Sequence, residues 1–196
     1  MDTSAKGNAF EDLVFDIIGK ELENDRLGLS PSQARLFKKK GYFSKDRKSE
    51  IIVDIAIEVW PPNSKNYSFL WVCECKDYGG TIPVDDVEKF KAKLDQIAGK
   101  NVKGVIASPN ALQKGALSYA RSNGIGAIRI LPHNQVDWTI SFMTTGSVTC
   151  QINPSEFLTA LLDANHRGKS RSFYSVCDDC CFGDWYSLIS HVLKLG

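Results

Sequence analysis

The chain carries almost no net charge: Lys+Arg 24 against Asp+Glu 23 leaves +1. Bulk electrostatics therefore points to no polyanionic partner, and any such signal has to be local. Long apolar runs are missing too. No stretch reaches the roughly 20 residues that a membrane-spanning helix needs, so no membrane partner is expected. The opening MDTSAKGNAFEDL lacks a basic segment followed by an apolar run, which argues against a secretory signal. Regular disulfide spacing is absent. Cys73 and Cys75 share one stretch, and Cys180 and Cys181 are adjacent. That usage fits reduced thiols and a cytoplasmic location. No internal repeat, Ser/His/Asp set or P-loop occurs. What remains is 196 residues with 43% hydrophobic content, which suits one ordinary domain, with or without an extension.

Hydrophobic spacing orders the chain. Phe10, Leu13, Val14, Ile17 and Ile18 fall on one helical face, predicting a helix over roughly residues 5–22, with a break at Gly28 to Pro31. A short strand is expected around Arg35–Phe37, with a turn at Gly41. In EIIVDIAIEVW, Ile51, Val53, Ile55, Ile57 and Val59 alternate onto one face and leave Asp54 on the other. After the polar turn PPNSKN, Phe69, Trp71, Cys73 and Cys75 point one way, and Leu70, Val72, Glu74 and Lys76 the other. VDDVEKFKAKLDQIAGK reads as a helix with Val87, Phe90, Leu94 and Ile97 buried and a stop at Gly99. The strand VKGVIAS, the helix ALQKGALSYARSNG and the strand IGAIRIL follow. This order predicts an α/β fold with a mixed β-sheet flanked by helices. Residues 1–131 would form the core and 132–196 a C-terminal extension: a hairpin about TTGS, a helix capped by Asn153, the basic linker HRGKSRS, and an amphipathic helix through Trp185, Leu188, Ile189, Val192 and Leu193.

Chemistry concentrates on the two central strands. Antiparallel pairing through the loop near 61–67 would set Asp54 opposite the region of Glu74, with Lys76 on the same face as Glu74. Two close carboxylates resist joint ionisation unless a cation sits between them. Hard oxygen ligands suit Mg²⁺ or Mn²⁺. The backbone carbonyl of Cys75 is a further candidate ligand. The Lys76 ammonium is placed to orient a metal-bound water and to stabilise phosphate charge, which is what phosphodiester hydrolysis requires. On the first helix Glu11 flanks the apolar stripe. Glu11, or alternatively Glu21, would bind the metal, bind a second metal, or hold Lys76.

GNAFEDLVFDII, IIVDIAIE, FLWVCECKDYGGTIPVDDVEKFKAKL and KGVIASPNALQKGALSYARSNGIGAIRI, in that order, resemble the PD-(D/E)xK nucleases, specifically the catalytic domain of Mrr-like restriction endonucleases. The resemblance covers roughly residues 4–131. It places the D…(E/Q)xK motif on Asp54, Glu74 and Lys76 and the first-helix glutamate on Glu11. Many Mrr-like domains have Gln where this chain has Glu74, and the usual Gly-x-Asp turn is replaced here by EIIVDI. The resemblance implies a restriction-endonuclease-like core, metal-dependent cleavage of DNA, and a place in restriction or antiviral defence. Double-strand cleavage would require two cuts, which a homodimer or higher oligomer supplies. A structure-selective or RNA-directed nuclease and a catalytically inactive nucleic-acid-binding module are the alternatives.

Between Arg35 and Lys48 run Arg35, Lys38, Lys39, Lys40, Lys45, Arg47 and Lys48, against the single acid Asp46, with Tyr42 and Phe43 interleaved. Directly before the Asp54 strand, this is the composition of a phosphate-tracking loop; the competing reading is a solvated loop. Lys103, Lys114 and Arg121 carry no comparable signal. Gln96 and Ser108 read as helix and strand-end residues rather than site residues, and His133 and His166 show no partners in the sequence. Cys177, Cys180 or Cys181, and His191 would suit Zn²⁺, but a second CxxC pair is missing, which favours small buried thiols.

Overall fold

A computed structural model describes residues 3–25, 27, 29–77, 79–97, 101–137, 153–169 and 171–194. Helix α1 (Thr3–Glu23) is followed by strands β1 (Ala34–Ser44), β2 (Ser49–Val59) and β3 (Phe69–Cys75). Then come α2 (Val84–Gln96), β4 (Val102–Ser108), α3 (Lys114–Ser122) and β5 (Gly126–Ile130). A 3-10 turn (His133–Gln135), β6 (Val136–Asp137), α4 (Pro154–Leu162), β7 (Gly168–Lys169), β8 (Phe173–Cys177), β9 (Cys180–Phe182) and α5 (Trp185–Lys194) complete the order. Seven strands form one sheet in the order β1-β2-β3-β4-β5-β8-β9. β3, β4 and β5 are parallel, joined by the crossover helices α2 and α3, and the remaining pairs are antiparallel. The predicted mixed α/β sheet is thus the observed one. The sheet also takes in strands on both sides of residue 132.

Two apolar layers sandwich the sheet. Phe10, Val14 and Ile18 of α1 and Leu188, Ile189 and Val192 of α5 pack with Trp71, Cys73 and Cys75. Val87 and Phe90 of α2 and Ala116, Leu117 and Ala120 of α3 pack with Leu70 and Val72 on the other side. The alternation predicted for β3 therefore holds. On α1, Leu13 departs from the expected stripe and is 49% exposed. At Gly104 of β4 an added Cβ would lie 2.3 Å from Leu94 Cδ1 and 2.9 Å from Phe90 Cε1. Gly104→Ala is therefore expected to overpack the α2–β4 contact and to lower stability by about 1–3 kcal/mol, measured by urea unfolding.

Two sequence expectations change in the β1–β2 hairpin. β1 is a long strand rather than a short one with a turn: Gly41 sits inside it, opposite Ile52, where the absence of a side chain leaves room for Glu50. The five apolar residues of β2 do not share one face. Ile55 and Ile57 pack on the α1 side, but Val53 packs with Tyr42 on the α2 side. The switch coincides with Lys39, whose φ of 50° interrupts β1 between the Lys38–Ile55 and Lys40–Val53 pairs. One left-handed residue re-aims the side chains around it. Lys38 accordingly reaches Asp12 of α1, while Lys40 reaches buried Glu58.

Beyond residue 132, Asn153 caps α4 as predicted, its side chain accepting from Ser155 N–H at 3.1 Å. The expected TTGS hairpin lies outside the described residues. HRGKSRS is not a free linker: β7 pairs in parallel with β6, and Gly168 packs so closely that an added Cβ would lie 2.1 Å from the Arg171 carbonyl oxygen. β8 and β9 were not anticipated from the sequence.

Candidate active site

The parallel strands β3 and β4 are in register through Cys75–Ala107, so their carboxyl ends open on one edge of the sheet. Ligands of open α/β sheets bind at such edges. Glu74 is the last residue but one of β3, and Lys76 follows the strand, its backbone N–H donating to the Ala107 carbonyl at 2.8 Å. The β2–β3 ladder runs to Ile55–Cys73, and just beyond it Asp54 and Glu74 are the next residues of their strands. The kink at Lys39 then separates what these carboxylates touch. Asp54 Oδ2 accepts from the Cys75 backbone N–H at 2.9 Å, and Oδ1 from Lys39 Nζ at 2.6 Å. Lys39 also donates to Glu11 Oε1 at 2.7 Å. Its ammonium thus joins the α1 carboxylate to the β2 carboxylate.

Glu11 is 8% exposed, and its second oxygen, Oε2, is buried with no hydrogen-bond partner among the described residues. A buried orphan carboxylate oxygen is costly unless something binds it. Glu21, weighed as an alternative to Glu11, is half-buried two turns and more further along α1.

Glu74, 4% exposed, lies under two ammonium groups. Lys76 Nζ donates to Oε1 at 2.9 Å, and Lys93 Nζ of α2 donates to both carboxylate oxygens at 2.9 Å. Lys93 was missed from the sequence. Its signal was available: it lies three residues after Phe90 and four before Ile97, on the buried face of α2. Burial pulls the Lys76 pKa down, but Glu74, Asp86 and Asp54 outweigh it and the pKa is raised. The same balance raises Lys39, through Asp54 and Glu11. Held by Glu74, the Lys76 ammonium can orient a water or steady a phosphate.

The basic run divides. Arg35 stacks on Trp60, 4.2 Å from the ring centre. Lys38, Lys39 and Lys40 pair with Asp12, with Glu11 and Asp54, and with Glu58. Lys45, Arg47 and Lys48 occupy the exposed β1–β2 turn. Arg47 donates to Gln96 at 2.8 Å, and Lys45 and Lys48 make no ion pair among the described residues. Gln96 is held by this hairpin, and Ser108 accepts from Asn110 N–H. Arg121 pairs with Asp179 rather than extending a basic surface.

A family model described as a restriction endonuclease, Mrr_cat, matches residues 29–136, more than half of the chain. The chain belongs to the Mrr_cat family. The family's description is restriction endonuclease, and domains of this kind typically use divalent metal ions. Asp54, Glu74, Lys76, Lys39 and Lys93 lie inside the matched span, and Glu11 lies before it. No curated protein matches. Two solved structures are similar to this Mrr_cat chain. A repair endonuclease from Pyrococcus abyssi is 18% identical with a TM-score of 0.40, covering 67% of this chain and 48% of that one. AF1548, a protein of unknown function, is 14% identical with a TM-score of 0.40, covering 55% of each. The chain thus spans about half the length of either structure. No helix among its described residues is long and apolar enough to cross a membrane.

The donor set offered to a divalent ion is three carboxylates, hard oxygen donors of the kind Mg²⁺ prefers. The orphaned Oε2 of Glu11 fits such an ion. Among the described residues these three carboxylates do not lie within 4.8 Å of one another as a cluster. Lys39 and Lys93 supply the counter-charge instead.

Proposed function

We propose that this domain is a Mg²⁺-dependent endonuclease that hydrolyses phosphodiester bonds of double-stranded DNA, acting as a homodimer or higher oligomer in restriction or antiviral defence. Mn²⁺ would substitute. The observation that carries the reading is the convergence of Asp54, Glu74 and the cationic Lys76 at the carboxyl end of β3, with the orphaned oxygen of Glu11 facing from α1. In this reading Asp54, Glu74 and the Cys75 carbonyl hold the metal, and Glu11 supports it. Lys39 keeps Glu11 and Asp54 together as a counter-ion, and metal loading requires it to swing off Asp54. The bound metal supplies an activated water and charge neutralisation at the phosphate. Lys76, a hydrogen-bond donor at the end of β3, would orient the attacking water toward phosphorus. A P–O bond to the water oxygen would form as the P–O3′ bond breaks; the water's proton would pass to solvent, the 3′ oxygen would take one from solvent, and the products would be a 5′-phosphate and a 3′-hydroxyl. Lys93 holds Glu74 from the helix side.

Supercoiled plasmid, branched DNA and RNA, each incubated with Mg²⁺, with Mn²⁺ or with chelator, test this. Plasmid cleavage abolished by chelator is the expected result. Cleavage of RNA or of branched DNA alone would move the substrate to the corresponding alternative. A chain that binds DNA but cuts nothing with either metal would be an inactive binding module.

The β1–β2 turn is the proposed DNA-binding element. Replacing Lys45 and Lys48 together by alanine should weaken DNA binding and flatten the slope of log K against log salt, measured by fluorescence titration. The flattening should be about 0.9 for each phosphate that is no longer neutralised. An unchanged slope would return this turn to ordinary solvated surface.

A further inference from the structure

The β8–β9 hairpin and α5 carry a second cluster that the nuclease chemistry does not use. Cys177 closes β8 and pairs across the hairpin with Cys180, the first residue of β9, with Asp178 and Asp179 as the two turn residues. Asp178 adopts φ 53°, and Arg121 of α3 holds the turn through the Asp178 carbonyl. Directly paired strand residues share a face. Cys177 packs on the α5 side, so Cys180 belongs to that side as well. Cys181 packs against the apolar clusters opposite. From α5, His191 approaches the same turn, its ring 4.9 Å from that of Phe182.

Donor atoms of Cys177, Asp178 and His191 all lie within 4.8 Å of one another, the only such group among the described residues. His191 Nε2 lies 3.3 Å and Cys177 Sγ 3.9 Å from the same oxygen, Asp178 Oδ2. The first separation is long for a hydrogen bond. Around a tetrahedral zinc, with bonds of roughly 2.0–2.3 Å, oxygen and nitrogen ligands stand about 3.3 Å apart and oxygen and sulfur about 3.5 Å. Those two separations reach that geometry with shifts of a few tenths of an ångström; Cys180 Sγ stands outside the 4.8 Å group and would turn in from the adjoining end of β9.

We propose that Cys177, Asp178, Cys180 and His191 form a structural zinc site that clamps α5 to the hairpin at the edge of the sheet. A single CxxC suffices, because the histidine and the turn aspartate complete the four ligands. Two thiolates and one carboxylate exceed the charge of Zn²⁺ by one. Lys103, which lines the adjoining 310 Å³ cavity with Cys177 and Asp178, supplies the balancing ammonium. The site would stabilise the turn and the three-residue edge strand β9.

The test is zinc content by mass spectrometry of the purified full chain, after loading with Zn²⁺ and gel filtration, compared with the Cys180→Ser, His191→Ala and Cys181→Ser variants. Cys180 is exposed, so its substitution should leave the fold intact. The expected result is about one zinc per chain in the parent and in Cys181→Ser, with affinity reduced more than 100-fold in Cys180→Ser and His191→Ala. Co²⁺ loading should give a thiolate charge-transfer band that Cys180→Ser weakens. Retention of no zinc, equal retention by all variants, or loss only in Cys181→Ser would each overturn the proposal. The readout involves no cleavage, so it stands or falls separately from the nuclease reading.

Discussion

Lys76→Ala is expected to slow metal-dependent DNA cleavage by roughly 10²–10⁴-fold while leaving the fold in place. That corresponds to about 2.7–5.4 kcal/mol of lost transition-state stabilisation. The fold should persist because the backbone N–H of Lys76 bonds the Ala107 carbonyl whatever its side chain, and because Lys93 still bonds both oxygens of Glu74. Asp54→Asn should lose as much rate by another route. Its carbonyl oxygen can still accept from the Cys75 N–H, so the strand ends stay joined, but the charge that would hold the metal is gone. A Mg²⁺ titration separates the two. In the Asp54→Asn variant the metal concentration for half-maximal rate should rise, whereas in Lys76→Ala it should stay unchanged and only the plateau fall. Parent-like cleavage by both variants would sink the assignment of the site. Lys93→Ala should act differently again: it strips a 4% exposed carboxylate of its main counter-charge and should cost about 1–3 kcal/mol of stability in metal-free buffer.

The legible part of this site is the part that regular geometry carries. A strand repeats every two residues, so the faces of Trp71, Val72, Cys73 and Glu74 follow from their order alone. An antiparallel register then follows from one loop, which is how Asp54 comes beside the end of β3. The rule fails where the backbone leaves the regular region. Lys39 at φ 50° lies across from the point where Val53 and Ile55 pack on opposite sides, and no composition signal marks a lysine for that conformation. The same kink draws Lys38, Lys39 and Lys40 onto acids, so a run that reads as a uniform basic loop becomes partly internal charge pairing. Lys93 was hidden differently: an apolar stripe draws the eye to Phe90 and Leu94, and a lysine beside them passes for a solvated neighbour unless its face is counted. FYSVC and CCF are too short to separate from a loop by periodicity, so β8 became visible only through its pairing with β5, and β9 through its pairing with β8.

Arg129→Met is expected to destabilise the chain by about 3–5 kcal/mol, as a drop in the urea midpoint. Arg129 lies on β5 and is 1% exposed. Nε donates to the Pro109 carbonyl at 3.1 Å, and the two Nη atoms donate to the carbonyls of Ala160, Asp163 and Ala164. Those last three close the carboxyl end of α4, where the aligned peptide dipoles favour a cation. Burial lowers the Arg129 pKa, with Asp163 and Tyr174 opposing, and guanidinium is basic enough to stay charged regardless. Methionine would fill part of the volume and remove the guanidinium donor from four carbonyls, of which that of Asp163 keeps the His166 N–H. Lysine should recover only part of the loss, because one ammonium cannot reproduce the guanidinium fork across carbonyls from two segments. Hydrogen exchange should rise first in α4 and β8, which this residue ties to the β4 and β5 strand ends, and last in β3. Parent-like exchange in α4 would show that its apolar face, through Phe157 and Leu161, is sufficient to dock it. The expected order instead makes Arg129 the side chain that fastens α4 to the sheet, beside the β5–β8 pairing that joins β8 to it.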